Sequence, residues 1–233
     1  VSRYVMKTGK IILGLAFLLL MFLNSFLMGK EDKLSDNLTW KVNFAKDEIF
    51  QGEPCLLTLG VTNTADEPVS IKLGADGIAI FSMEIRTVTD KAVERGPKIL
   101  KSGVAKIHKL LIPPRSSKEV DLVVNRWCST DIPSGKYKLV CFVHRSSGQS
   151  LALEHDFEIL QANKDELMSI FSGLADQVIS APSSIERSLA SRMLAFANSP
   201  LRMKDNIRVA KQKNLDLEIR KRAIESLGRI ESN

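Results

Sequence analysis

The sequence predicts an α+β chain in which an antiparallel β-sandwich is followed by a helical region. Three observations support this prediction. Residues 38–160 contain short runs in which apolar and polar residues alternate, with turn residues between the runs. From residue 164 onward the apolar residues recur at helical spacing. Residues 11–28 form an uncharged, apolar run that follows three basic residues.

These patterns divide the 233 residues into four parts. The predicted parts are a signal peptide or membrane anchor at 1–29, a linker at 30–37, the β-sandwich at 38–160 and a helical region at 164–233. Seven to nine short strands are expected in the sandwich, because turn signals interrupt it at regular intervals. The clearest predicted strands are 38–44, 55–62, 69–73, 79–87, 107–112, 118–124, 136–144 and 151–159.

A turn rich in Pro, Ser and Gly separates two of these strands, and it is the most diagnostic feature of the β-sandwich. Pro133 fixes φ at the turn, and Gly135 tolerates a positive φ, so the chain can cross over there. Tyr137 follows directly, where its ring can be buried while its hydroxyl bonds to nearby backbone. Such a structural corner is typical of an immunoglobulin-like sandwich.

The order of the motifs within residues 49–144 also resembles a known family. The motifs are GEPCLLTLGVTNTADEPVSI, FSMEIRTVTD, LIPPRSSKEVDL and WCSTDIPSGKYKL. Together they resemble the immunoglobulin-like domain of the intracellular proteinase inhibitor family, and similar domains occur in many exported bacterial proteins. The resemblance implies the fold and, as an alternative function, proteinase inhibition through the sandwich. No residue of a reactive loop is carried over.

The N-terminal run at 11–28 predicts export or membrane attachment. Its length corresponds to roughly 27 Å of helix, which is just short of a bilayer core. The basic residues before it favour an extracytoplasmic position for the rest of the chain. We expect a membrane-anchored protein whose bulk is periplasmic or extracellular, with a cleaved, secreted form as the alternative.

Three cysteines allow one disulfide at most within the chain in an oxidising compartment. Cys55 and Cys141 are both in phase with apolar residues and could join facing sheets, and Cys128 is an alternative partner. Buried thiols that act as small apolar groups are an equally open interpretation. His108, His144 and His155 are scattered, and no spacing typical of a metal site occurs, so we expect neither a metal nor another cofactor.

The helical region is predicted to contain four helices. The apolar positions expected on their inner faces are Leu167, Ile170, Phe171, Leu174 and Val178, then Ile185, Leu189, Met193, Leu194 and Phe196, then Ile207, Val209 and Ala210, and finally Leu217, Ile219, Ala223, Ile224, Leu227 and Ile230. The stretch LEIRKRAIESLGRI resembles the second helix of a HEAT-type hairpin. Arg220, Lys221 and Arg222 within it are a candidate partner-binding surface.

The predicted function is a non-enzymatic, extracytoplasmic protein-interaction module. The net charge of +6 is concentrated near the two ends of the chain, with +3 in residues 1–29 and +4 in residues 200–233, which leaves −1 between them. That distribution does not favour a nucleic-acid partner, which would require basic residues on one face. No pattern of a nucleophile with its base or of a phosphate-binding loop appears, so no small-molecule substrate is predicted. The expected partner is a protein of unspecified identity, together with the membrane through residues 11–28.

If residues 11–28 span the membrane, the full-length chain should remain with membranes after a carbonate wash. Protease added from outside should then digest the rest of the chain. Cell fractionation followed by immunoblotting measures both outcomes. Full-length chain in the cytosol would contradict the predicted export.

Overall fold

We analysed a computed structural model of the chain, which describes residues 37–75, 80–94, 107–144 and 150–230. Within these residues ten strands are followed by four helices, which confirms an α+β chain with a β region before a helical region. The predicted N-terminal segment at 1–29 lies outside the described residues, as does the linker up to residue 36. In the described part of the chain, no helix has the length and apolar character needed to cross a membrane.

The strands form three sheets. Their bounds are β1 Leu38–Phe44, β2 Glu48–Phe50, β3 Leu56–Asn63, β4 Val69–Ala75, β5 Phe81–Thr87, β6 Ala92–Glu94, β7 Ile107–Ile112, β8 Ser117–Val123, β9 Gly135–His144 and β10 Ser150–Leu160. One sheet has the order β1-β3-β8, the second has the order β2-β10-β9-β5-β6, and β4 pairs with β7. All neighbours are antiparallel except β2, which runs parallel to β10.

The long strands lie where the alternating runs predict them, because each run buries one face. In β3, for example, Leu57, Leu59 and Val61 are fully buried while the residues between them are half-exposed. Residues from all three sheets share one hydrophobic core. The short strands β2 and β6 were not predicted, because three residues are too few to show an alternation.

The four helices form two hairpins that stack on each other. Their bounds are α1 Lys164–Ser180, α2 Ser184–Phe196, α3 Met203–Ala210 and α4 Leu217–Ile230. Asn163 and Ser183 cap the first two helices by accepting a hydrogen bond from a backbone N–H. Within this stack, α1 contacts α3 and α2 contacts α4. A second hydrophobic core lies among the helices, and Phe50 from β2 packs against it.

Four apolar residues predicted on inner helix faces are instead at the surface. Ile185 is 74% exposed, Leu217 is 66% exposed, Ile224 is 58% exposed and Ile207 is 38% exposed. Helical periodicity shows which apolar residues share a side of a helix, but it does not show whether a neighbouring element covers that side. The buried stripe of α4 passes through Ile219, Ala223 and Ser226.

The corner before β9 connects two different sheets, since β8 lies in the first sheet and β9 in the second. The Tyr137 hydroxyl donates a 2.7 Å hydrogen bond to the carbonyl oxygen of Pro133. Gly135 has a φ of +153°. A β-carbon added to Gly135 would lie 3.7 Å from the ring of Tyr137. The ring itself is buried and lies 6.2 Å from the ring of Phe157, centre to centre.

Substitutions at Tyr137 should therefore reduce stability in a graded order. Tyr137→Phe keeps the packing but loses the bond to Pro133, so the free energy of unfolding should fall by about 0.5 to 1.5 kcal/mol. Tyr137→Ala also leaves a cavity and should cost about 3 to 5 kcal/mol. Urea unfolding monitored by circular dichroism measures both values. Equal stability of all three proteins would show that this corner does not contribute to the fold.

Candidate functional site

The β region and the helices meet around a buried asparagine. Asn125 lies in a 3-10 turn, Val124–Arg126, that directly follows β8, and it is 8% exposed. Its Oδ1 accepts a 2.6 Å hydrogen bond from the backbone N–H of Cys55. Its Nδ2 lies 3.1 Å from the Glu53 carbonyl oxygen, 2.8 Å from Thr130 Oγ1 and 2.7 Å from Asn198 Oδ1.

Asn198 brings the helical region into this network. It lies between α2 and α3, and its Oδ1 also accepts a 3.1 Å hydrogen bond from the backbone N–H of Thr130. Beside it, the β-carbon of Ser199 would be only 3.3 Å from a β-carbon added to Gly52, which has a φ of +82°. Any residue other than glycine at position 52 would therefore be strained and would also crowd the helices.

A groove of about 330 Å³ opens between the β region and α1. Its apolar lining includes Ile49, Ile170, Leu174 and Met193, and its polar lining includes Lys46, Glu53, Ser169 and Gln177. The carboxylate of Glu53 is almost fully buried, and it accepts 2.6 Å and 2.9 Å hydrogen bonds from Lys46 Nζ and from the Phe50 backbone N–H. Because the ion pair is satisfied within the protein, the groove suits an apolar group more than a charged one.

The three cysteines are free thiols, so neither disulfide considered from the sequence is present. All are buried in the core of the β region: Cys55 lies just before β3, Cys128 follows the 3-10 turn, and Cys141 lies within β9. The Cys128 thiol donates a 3.3 Å hydrogen bond to the carbonyl oxygen of Met83, the residue that pairs with Cys141 across the sheet. These positions match the interpretation of the cysteines as small apolar core residues.

The environment of these thiols also disfavours reactivity. Burial, followed by the nearby Glu53 and Cys128, raises the pKa of Cys55. Burial, followed by Cys128, raises the pKa of Cys141 to about 12. Because the thiolate is the nucleophile, both groups are protonated and unreactive at neutral pH.

The basic residues at 220–222 do not form a single surface. Consecutive helical residues point about 100° apart. Lys221 projects into solvent, 3.9 Å from Glu225, whereas Arg222 turns towards α2 and donates a 3.2 Å hydrogen bond to Ser191 Oγ. Arg220 is half-buried, and its Nε has no hydrogen-bond partner among the residues that the structure describes.

The described histidines lie at separate places on the surface of the β region. His144 contacts Ser82 and Ser150, each at 2.8 Å, while His155 lies 2.9 Å from Asp47 and stacks on Phe44. His108 is exposed in β7. Within the described ranges, no three His, Cys, Asp or Glu side chains are grouped so that they could hold a metal ion.

Comparison with known proteins identifies no family. No family model matches the chain, and no curated protein matches it. Among solved structures, the sporulation control protein Spo0M of Bacillus subtilis has a TM-score of 0.34 at 12% identity, covering 62% of this chain and 55% of its own. The alkylpurine DNA glycosylase AlkC of Pseudomonas fluorescens has a TM-score of 0.32 at 15% identity, covering 58% and 33%. A β-glucosidase of Listeria innocua has a TM-score of 0.30 at 15% identity, covering 52% and 16%.

These similarities are distant, and each covers less than two thirds of the other protein. They carry no information about the activity of this chain. Its function must be inferred from its own surfaces.

Replacing Asn125 with alanine should strongly destabilise the chain. The change leaves the buried N–H of Cys55 without its acceptor and removes a donor from Glu53 and Asn198, so we expect a loss of about 2 to 4 kcal/mol. Gln51→Ala is the matched control, because the Gln51 side chain makes an exposed 3.0 Å hydrogen bond to Asp131, and its loss should cost less than about 1 kcal/mol. Denaturant unfolding of both variants provides the measurement. Similar losses in the two would show that the Asn125 network does not hold the junction together.

Proposed function

We propose that this chain is a non-enzymatic protein-interaction module whose second helical hairpin, α3 and α4, carries the binding surface. The observation that supports this proposal most strongly is a set of exposed apolar side chains, which we call the outer face. Its members are Met203 at 40% exposed, Ile207 at 38%, Leu217 at 66% and Ile224 at 58%. Exposed apolar groups that gather in one place are typical of protein-binding surfaces.

Helical geometry places these residues in two stripes. Met203 and Ile207 are four residues apart on α3, and Leu217 and Ile224 are seven apart on α4, so each pair lies on one side of its helix. The opposite sides are buried, through Val209 on α3 and through the Ile219 and Ala223 positions on α4. Because α3 and α4 pack against each other, the two stripes belong to one hairpin.

The occupant that fits this face is a helical hairpin of a partner protein. Within the chain, the inner side of the second hairpin is already covered by another hairpin, since α1 contacts α3 and α2 contacts α4. Stacked helical repeats bury a continuous core by adding hairpins in this way. Exposed charged residues such as Lys221 and Glu225 border the apolar stripe and provide a polar rim.

The finer architecture and location are part of the same proposal. We infer an immunoglobulin-like sandwich for the β region and HEAT-like hairpins for the helices. The corner at Tyr137 supports the first inference, and the paired stacking of the four helices supports the second. The apolar run at residues 11–28, which lies outside the described residues, supports anchorage with the bulk of the chain extracytoplasmic. Proteinase inhibition through the β region rests on the sequence resemblance alone and is the weaker candidate.

Introducing charge on the outer face tests the proposal. The full-length chain is solubilised in detergent for this test. The double substitution Leu217→Lys with Ile224→Lys should lower its affinity for the captured partner by at least about tenfold, because both positions lose the apolar area that they bury on binding. Val88→Lys is the control: Val88 is 74% exposed, but it belongs to the β region. Photocrosslinking from position 224, followed by mass spectrometry, should identify a helical segment of the partner.

Two results would refute this assignment. The first is a partner retained equally by the parent and by the double variant, when both have the same melting temperature. The second is inhibition of a subtilisin-like proteinase that the double variant preserves, which would place the function in the β region instead.

A further inference from the structure

Three arginines from three different elements gather beside α2. Arg126 ends the 3-10 turn that follows β8, and its guanidinium lies 5.5 Å from the centre of the Phe196 ring near the end of α2. Arg192 is one helical turn before Phe196. Arg222 of α4 donates a 3.2 Å hydrogen bond to Ser191, the neighbour of Arg192. All three arginines are half-buried, and we call them the arginine cluster.

Two members of the arginine cluster use few of their hydrogen-bond donors within the protein. A guanidinium has five N–H donors. Within the described ranges, Arg192 makes one long hydrogen bond, 3.4 Å from Nη1 to the carbonyl oxygen of Asp121, and its buried Nε has no partner. Arg222, over the same part of the chain, makes one hydrogen bond, to Ser191. Among the described residues, no carboxylate lies within 4.0 Å of either guanidinium.

Other arginines of this chain are paired in the usual way. Arg115 lies 2.9 Å from Asp66, and Arg208 lies 2.6 Å from Asp176. These pairs are exposed to solvent, where an ion pair matters least. The guanidiniums of Arg192 and Arg222 are more buried than those of Arg115 and Arg208, yet they have no carboxylate partner among the described residues. Buried charges in proteins are usually paired.

Burial and the neighbouring arginines disfavour the charged forms of Arg192 and Arg222. Burial, followed by Arg126, lowers the pKa of Arg192, and Asp121 acts in the opposite direction. Burial, followed by Arg192, lowers the pKa of Arg222, and Glu218 and Glu225 act in the opposite direction. Of these carboxylates, Asp121 accepts a 2.8 Å hydrogen bond from Thr58 Oγ1, and Glu225 lies 3.9 Å from Lys221 Nζ.

We propose that Arg126, Arg192 and Arg222 form a binding site for a phosphate group. The planar guanidinium matches the oxygens of phosphate in a bidentate manner, and it is more easily desolvated than an ammonium. A doubly charged oxyanion would neutralise the like charges and accept hydrogen bonds from the donors that Arg192 and Arg222 leave unused. The phosphate group can be supplied as the free ion or on the headgroup of an anionic lipid.

Binding of inorganic phosphate to the full-length chain in detergent tests this site. Calorimetric titration at constant ionic strength, set with sodium chloride, should show saturable binding by the parent protein. Arg192→Gln and Arg222→Gln should each weaken it by about tenfold or more, since each removes charge-assisted hydrogen bonds. Arg115→Gln is the control, and it should bind phosphate like the parent. A second arm replaces the ion with vesicles that contain phosphatidic acid, compared with vesicles of phosphatidylcholine alone.

A chemical measurement on the parent protein tests the site without substitutions, so that misfolding of a variant cannot affect the result. Phenylglyoxal modification of Arg192 and Arg222, followed by mass spectrometry, should slow in the presence of phosphate but not of chloride, while Arg115 is unaffected. Arginine-dependent binding of vesicles but not of the free ion would support the site with a lipid as its source. Absence of binding to both probes, or binding that the substitutions leave unchanged, would overturn the proposal.

Discussion

The side-chain amide of Asn125 is the constraint on which the arrangement of the two regions depends. A buried amide must satisfy both its donors and its acceptor, because an unpaired polar group in a protein interior is costly. Among the described residues, its partners come from three separate segments of the chain: Glu53 with Cys55, Thr130, and Asn198. Satisfying one side chain therefore fixes the start of β3, the approach to β9 and the connection between α2 and α3 relative to one another.

The Asn125 network helps to place α2 against β8. The groove and the arginine cluster both depend on that placement. Met193 of α2 closes one side of the groove, and Arg192 reaches the backbone of Asp121 in β8. A buried arginine supports the same connection from the helical side: Arg202 donates to the carbonyl oxygens of Ala197 and Ser199 and to Ser226 Oγ. The segment between α2 and α3 is thus held at both of its faces by polar side chains.

The sequence predicted long elements well because their signal is repeated several times. Strand β3 repeats its alternation over eight residues, whereas β2 offers three residues and no period. Asn125 could not be identified, since a single asparagine after an apolar run is equally typical of an exposed turn. The sequence could not show how residues 220–222 divide around their helix, because neighbours in sequence lie on different sides of a helix: Arg222 lies beside Ser191 and Arg192, whereas Lys221 is exposed.

The same helical geometry separates the two surfaces proposed for α4. Arg222 and Ile224 are two residues apart, so their side chains point about 200° apart around the helix axis. Arg222 consequently faces α2 while Ile224 faces solvent at 58% exposure. An anion bound at the arginine cluster would therefore not contact a partner bound on the outer face. Any coupling between them must pass through the packing of α4 on α2, and the inner stripe at Ile219 and Ala223 is the route by which a shift of α4 would be transmitted.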